Sequence, residues 1–84
     1  MSKQAPETIE DTVRSIVATE LRADTSTIQG TTHLMKDLGA DSLDALNIAI
    51  RLEEAFKIKI PDEAIPTFVT IDDIVRGVGQ AVAH

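Results

Sequence analysis

The sequence predicts an all-α fold: a small bundle of three main helices and one short one, with a long first loop. Three observations predict it. Apolar residues recur at helical spacing over 7–21, over 42–56 and again from Ile71 onward. The two later runs open on an oxygen-bearing side chain with an acid three residues on, Asp41 with Asp44 and Thr70 with Asp73. The one stretch that alternates like a strand, Lys57-Ile58-Lys59-Ile60-Pro61, is short and ends on proline, so it reads as an extended connector.

The first helix is marked by Ile9, Val13, Ile16, Val17 and Leu21, with Glu10, Asp11, Arg14 and Glu20 elsewhere on the wheel; Pro6 suits its first turn. Residues Met1 to Ala5 read as a loose end. From Ala23 to Lys36 the chain is rich in Thr, Ser and Gly, which favour turns through bonds to their own backbone. Ile28, Leu34, Met35 and Leu38 should pin this crossover to the helices, with a short helical turn near Thr25 to Ile28. The second helix, Ser42 to Phe56, carries Leu43, Leu46, Ile50 and Phe56 along one side, and Ile48, Ala49 and Leu52 widen the apolar surface. A helix with that much apolar area is packed centrally or docks a partner. Asp62-Glu63-Ala64-Ile65 starts a turn of helix that Pro66 should cut off. The last helix carries Ile71, Ile74, Val75, Val78 and Val82; Gly77 and Gly79 weaken it and allow another helix to come close.

Length and composition set bounds. Eighty-four residues make one domain, 1–84, with no second core. Only Phe56 and Phe68 are aromatic, so the core is aliphatic; such an interior suits a guest chain and equally an ordinary helical domain. Cysteine is absent, which excludes disulfides, thiolate chemistry and Cys-based metal sites. His33 and His84 lie far apart, and no His pair sits at i, i+4, so no zinc site is expected. His84 ends the chain and should fray, and His33 reads as a solvated loop residue. Fourteen acids against eight bases give a net charge of -6. That argues against nucleic acid and for partners with basic surfaces. No secretory-type run or membrane-length stretch occurs, so a cytoplasmic monomer without membrane contact is the expected state.

The stretch Leu38-Gly39-Ala40-Asp41-Ser42-Leu43 organises the chain. A helix start needs a side-chain oxygen for its unpaired N–H groups, and Asp41 and Ser42 both offer one. Asp41 with Asp44 is a capping-box variant; Ser42 with Ala45 has no such partner. If Asp41 caps, Ser42 falls at the first helical position with its hydroxyl unused and facing water. The positive end of the helix there favours a phosphate. A serine at a helix start is most often only a cap, and on the tripeptide alone the cap is the favoured reading.

The run Asp37-Leu38-Gly39-Ala40-Asp41-Ser42-Leu43-Asp44 resembles the phosphopantetheine attachment motif of acyl carrier proteins. The similarity continues through Leu52-Glu53-Glu54-Ala55-Phe56 and Ile58-Lys59-Ile60-Pro61-Asp62-Glu63 and spans nearly the whole chain. It implies a carrier that is not itself an enzyme. A phosphopantetheinyl transferase would join 4'-phosphopantetheine to Ser42, between Asp41 and Leu43, and acyl groups would ride on the arm as thioesters. It implies a partner surface for acyl-loading and acyl-processing enzymes over Asp41, Asp44, Asn47, Ile48, Arg51, Glu53 and Glu54. It implies an acyl pocket lined by Leu46, Ile50, Ile60, Ile65 and Phe68. Asn47, Arg51, Ala55 and Lys36 depart from the common fatty-acid carriers, which points to a specialised carrier. Peptidyl, polyketide and D-alanyl carriers use the same arm, and a helical interaction module with a merely structural serine is the reading from another class. A hydrolase using Ser42 has no candidate base.

Overall fold

The computed structural model describes residues 6–83, with side chains from Ile9 onward. The expected loose end at 1–5 and the fraying of His84 lie outside the described residues. Helix α1 spans Pro6–Leu21, α2 Leu34–Leu38, α3 Ser42–Phe56 and α4 Ile71–Ala83. Two 3₁₀ segments, Thr25–Thr27 and Asp62–Thr67, complete the order, and no strand is present among the described residues. This is the helical bundle expected, with α1 packed against both α3 and α4.

The core is aliphatic, as composition required. Val13 and Val17 of α1, Ile48 and Leu52 of α3, and Ile71 and Ile74 of α4 have no exposed surface at all. Burial of one such side chain is worth about 1.5–3 kcal/mol. The sidedness of α3 differs from expectation. Ile48, Ala49 and Leu52 face the core, whereas Leu43, Leu46 and Ile50 lie on the outside. The helix carries two apolar stripes at helical spacing, and periodicity alone does not say which one meets α1.

The crossover between α1 and α3 is more ordered than a loop. Asp24 caps the first 3₁₀ turn by accepting from the Ser26 N–H at 3.0 Å. Ile28 and Leu34 are buried and Leu38 is partly buried, but Met35, expected as a fourth anchor, is 55% exposed. Helix α2 was not foreseen, being a single turn too short for periodicity to report. It ends at Gly39, whose φ of 73° is left-handed and whose N–H donates back to the Leu34 and Met35 carbonyls.

The second 3₁₀ segment runs through Pro66 to Thr67 instead of stopping before it. A 3₁₀ turn bonds at i to i+3, so the clash of a proline ring with the i−4 carbonyl of an α-helix does not arise. Thr70 opens α4 with a reciprocal cap: its hydroxyl accepts from the Asp73 N–H at 3.3 Å, and its own N–H donates to the Asp73 carboxylate at 3.0 Å. Gly77 gives room to a side chain and not to another helix; a Cβ there would lie 3.3 Å from the Phe68 ring.

Candidate functional site

The turn from α2 into α3 is built to hold one backbone geometry. Gly39 reverses the chain, and Ala40 is buried, its N–H donating to the Leu34 carbonyl at 3.0 Å. Asp41 is then the N-cap of α3. Its carboxylate accepts from the Asp44 N–H at 2.9 Å, and the Asp44 carboxylate accepts from the Asp41 N–H at 3.2 Å. Two orphan donors of the helix start are thereby satisfied by acids.

Ser42 is the first residue of the helix and is exposed. Its hydroxyl makes no hydrogen bond among the described residues, so the backbone does not need it. The oxygen stands at the positive end of a 15-residue helix, where a phosphate is favoured electrostatically. Beside it opens a cavity of about 270 Å³, lined by His33, Met35, Ala45, Ile65, Pro66, Phe68 and Val69 together with Ser42 itself. An exposed alcohol, a helix end suited to an anion and an adjoining apolar cavity fit a tether carrying a phosphate and a chain.

Two of the expected pocket residues, Ile65 and Phe68, line this cavity. Ile60 is buried and lines a second cavity, which Phe68 also lines, with Pro61, Ala64, Thr67 and Gly77. Leu46 and Ile50, also expected in the pocket, are 42% and 44% exposed on the outer side of α3 and line neither space. Sequence reasoning missed His33, Met35, Ala45, Pro66 and Val69.

The expected partner surface divides. Asp41 and Glu54 are exposed, Asp44 and Asn47 half-buried. Ile48 has no exposed surface and presents nothing to a partner; it sits on the α3 stripe that meets the core. Arg51 donates to Glu20 of α1 at 2.7 Å, tying the two helices together at the surface. Glu53 accepts from the Ile60 N–H at 2.8 Å and holds the connector after α3. The exposed apolar residues of this face are Leu43, Leu46 and Ile50. His33, expected to be merely solvated, caps α2 by accepting from the Lys36 N–H at Nδ1, 3.1 Å away.

Fold and site together define a class: a small helical domain that presents an exposed serine, Ser42, at the start of α3 beside an apolar cavity. A model of the phosphopantetheine attachment site matches residues 11–78, which include Ser42. An acyl carrier protein of Aster yellows witches'-broom phytoplasma (strain AYWB) is 44% identical over 63 residues, 75% of this chain and 83% of that relative. One of Onion yellows phytoplasma (strain OY-M) is 43% identical over the same length and shares. The solution structure of the apo doublet acyl carrier protein from prodigiosin biosynthesis superposes with a TM-score of 0.77 at 32% identity, covering 88% of this chain and 36% of that one. The chain therefore spans about a third of the length of that structural neighbour. It belongs to the phosphopantetheine-attachment family of acyl carrier proteins. Proteins of this family carry a covalent 4'-phosphopantetheine, receive it from a phosphopantetheinyl transferase, and serve acyl-processing enzymes without being enzymes themselves. Among the described residues no helix is long and apolar enough to cross a membrane.

Proposed function

We propose that the chain is a cytoplasmic, monomeric acyl carrier whose attachment residue is Ser42. One observation carries this reading: the reciprocal cap of Asp41 and Asp44 leaves an exposed serine hydroxyl without structural duty at the start of α3. In the attachment step the Ser42 oxygen forms a bond to the phosphorus of the phosphopantetheine half as the pyrophosphate bond of coenzyme A breaks, and adenosine 3',5'-bisphosphate leaves. The hydroxyl proton passes to a base supplied by the transferase. The arm brings the thiol that a chain without cysteine lacks, and tethering raises the local concentration of cargo at each partner. Incubation with coenzyme A and a phosphopantetheinyl transferase should add one phosphopantetheine mass to the wild type and none to Ser42→Ala. An unchanged wild-type mass would leave a helical interaction module as the better reading.

The cargo is an acyl group of lipid or related biosynthesis, and the partners are dedicated ones. Arg51 supports the second point. It stands on the helix that carries exposed Leu43, Leu46 and Ile50, and its pairing with Glu20 fixes a cation on the same helix as Asp41, Asp44 and Glu54. Partners with uniformly basic surfaces meet a like charge there, and such a contact shapes specificity more than affinity. Arg51→Ala combined with Asn47→Glu should shift selectivity between candidate synthases toward those serving common fatty-acid carriers. Equal kcat/KM ratios before and after would count against a dedicated partner.

A further inference from the structure

The cavity beside Ser42 has one polar wall that carrier function leaves without a role. Apart from His33 and Ser42, its lining side chains are Met35, Ala45, Ile65, Pro66, Phe68 and Val69, which offer no N–H or O–H. Once Ser42 is esterified its hydroxyl can no longer donate, and His33 remains as the polar side chain of that lining.

His33 is held in place from two sides. Its backbone N–H donates to the Asp37 carboxylate at 2.8 Å, and its Nδ1 accepts from the Lys36 N–H. Its backbone also bridges Thr70, and the next residue, Leu34, donates its N–H to the Val69 carbonyl at 2.9 Å. A neutral imidazole that accepts at Nδ1 carries its proton at Nε2. The cap therefore makes the second nitrogen a donor, and it has no protein partner among the described residues.

On the carrier reading, which this inference rests on, we propose that His33 is a binding residue for the tethered arm and its cargo. Its Nε2–H donates to a neutral oxygen acceptor brought into the cavity. A bare alkyl chain lying against the ring would strip water from that N–H and return nothing, which is unfavourable. An oxygen-bearing chain replaces the water. Two sources share this chemistry: the amide carbonyls of the arm itself, and a carbonyl or hydroxyl on the cargo.

The test uses the full chain as apo protein, with the arm alone, and loaded with octanoyl or 3-hydroxyoctanoyl groups, each verified by intact mass. Imidazole ¹⁵N resonances are read at about pH 8.5, where an ordinary imidazole is neutral. A change at the His33 Nε2 resonance on adding the arm assigns the acceptor to the arm. A change that appears only once cargo is loaded assigns it to the cargo, to the thioester carbonyl if both loaded forms show it and to the hydroxyl if the 3-hydroxyoctanoyl form alone does. An unmoved resonance in all mass-verified forms overturns the proposal. Failure to gain the arm at all would instead remove the carrier reading, and the inference with it. His33→Ser keeps an oxygen to cap α2 and withdraws the ring. It should raise thioester hydrolysis about three- to tenfold, the effect of one net hydrogen bond, for both cargoes if the arm or the thioester carbonyl is bound and for the hydroxylated one alone if the cargo hydroxyl is. Unchanged rates for both, with a native circular dichroism spectrum, would likewise overturn it.

Discussion

Asp41 and Ser42 are neighbours with separate duties, and the separation can be measured. The Asp41 carboxylate satisfies a helix N–H that would otherwise face water alone, whereas the Ser42 hydroxyl bonds to nothing among the described residues. Asp41→Ala should cost about 1 kcal/mol, the usual value of a lost N-cap. Ser42→Ala should change stability by less than about 0.5 kcal/mol, as a surface substitution does. Urea midpoints of the two variants check this. A loss in Ser42→Ala equal to that in Asp41→Ala would make the serine part of the cap after all. The division was half legible: Asp44 stands three residues after Asp41 while Ala45 stands three after Ser42, but two adjacent side-chain oxygens at a helix start leave the choice of cap open until the backbone is seen. His33 shows the limit of such reading. An imidazole capping a five-residue helix is visible only once that helix is known to exist.

At the scale of elements, α3 shows how an amphipathic pattern can mislead. Leu43, Leu46 and Ile50 form one stripe, and Ile48, Ala49, Leu52 and Phe56 another. Both have helical spacing, and the choice between them depends on where α1 and α4 lie. Ile48→Ala should therefore cost about 2–5 kcal/mol, the range for emptying a core site. Ile50→Ala should stay within about 0.5 kcal/mol. Thermal melts distinguish the two, and comparable losses would mean that the outer stripe is packed. The three main helices were legible because each is long enough for several turns of periodicity. The second 3₁₀ segment was only half legible. Proline 66 signals a break to an α-helix, but the tighter turn tolerates it. The cavity draws on His33, Met35, the 65–69 run and the start of α3 at once, a juxtaposition no local window contains.

For the whole molecule, acidity sets two effects against each other as pH falls. With a net charge of -6, protonating carboxylates relieves general repulsion and favours the compact state. Asp24 and Asp73 act the other way. The Ser26 N–H and then its hydroxyl hold the Asp24 carboxyl below its ordinary value. The Arg76 guanidinium and then the Thr70 N–H do the same for Asp73. A carboxyl with a lower pKa folded than unfolded is protonated first in the unfolded chain. Acid therefore favours unfolding, and the stabilisation is complete above the unfolded value, about 3.9, and disappears below the folded one. Repulsion between exposed charges is screened beyond about 8 Å at physiological salt, whereas these hydrogen bonds act at contact. The local effect should win. Urea midpoints of wild type and D73N are expected to differ at pH 7 and pH 5 and to converge as pH falls below about 4. A gap of constant size down to pH 3 would mean that the caps of α4 owe nothing to the charge on Asp73.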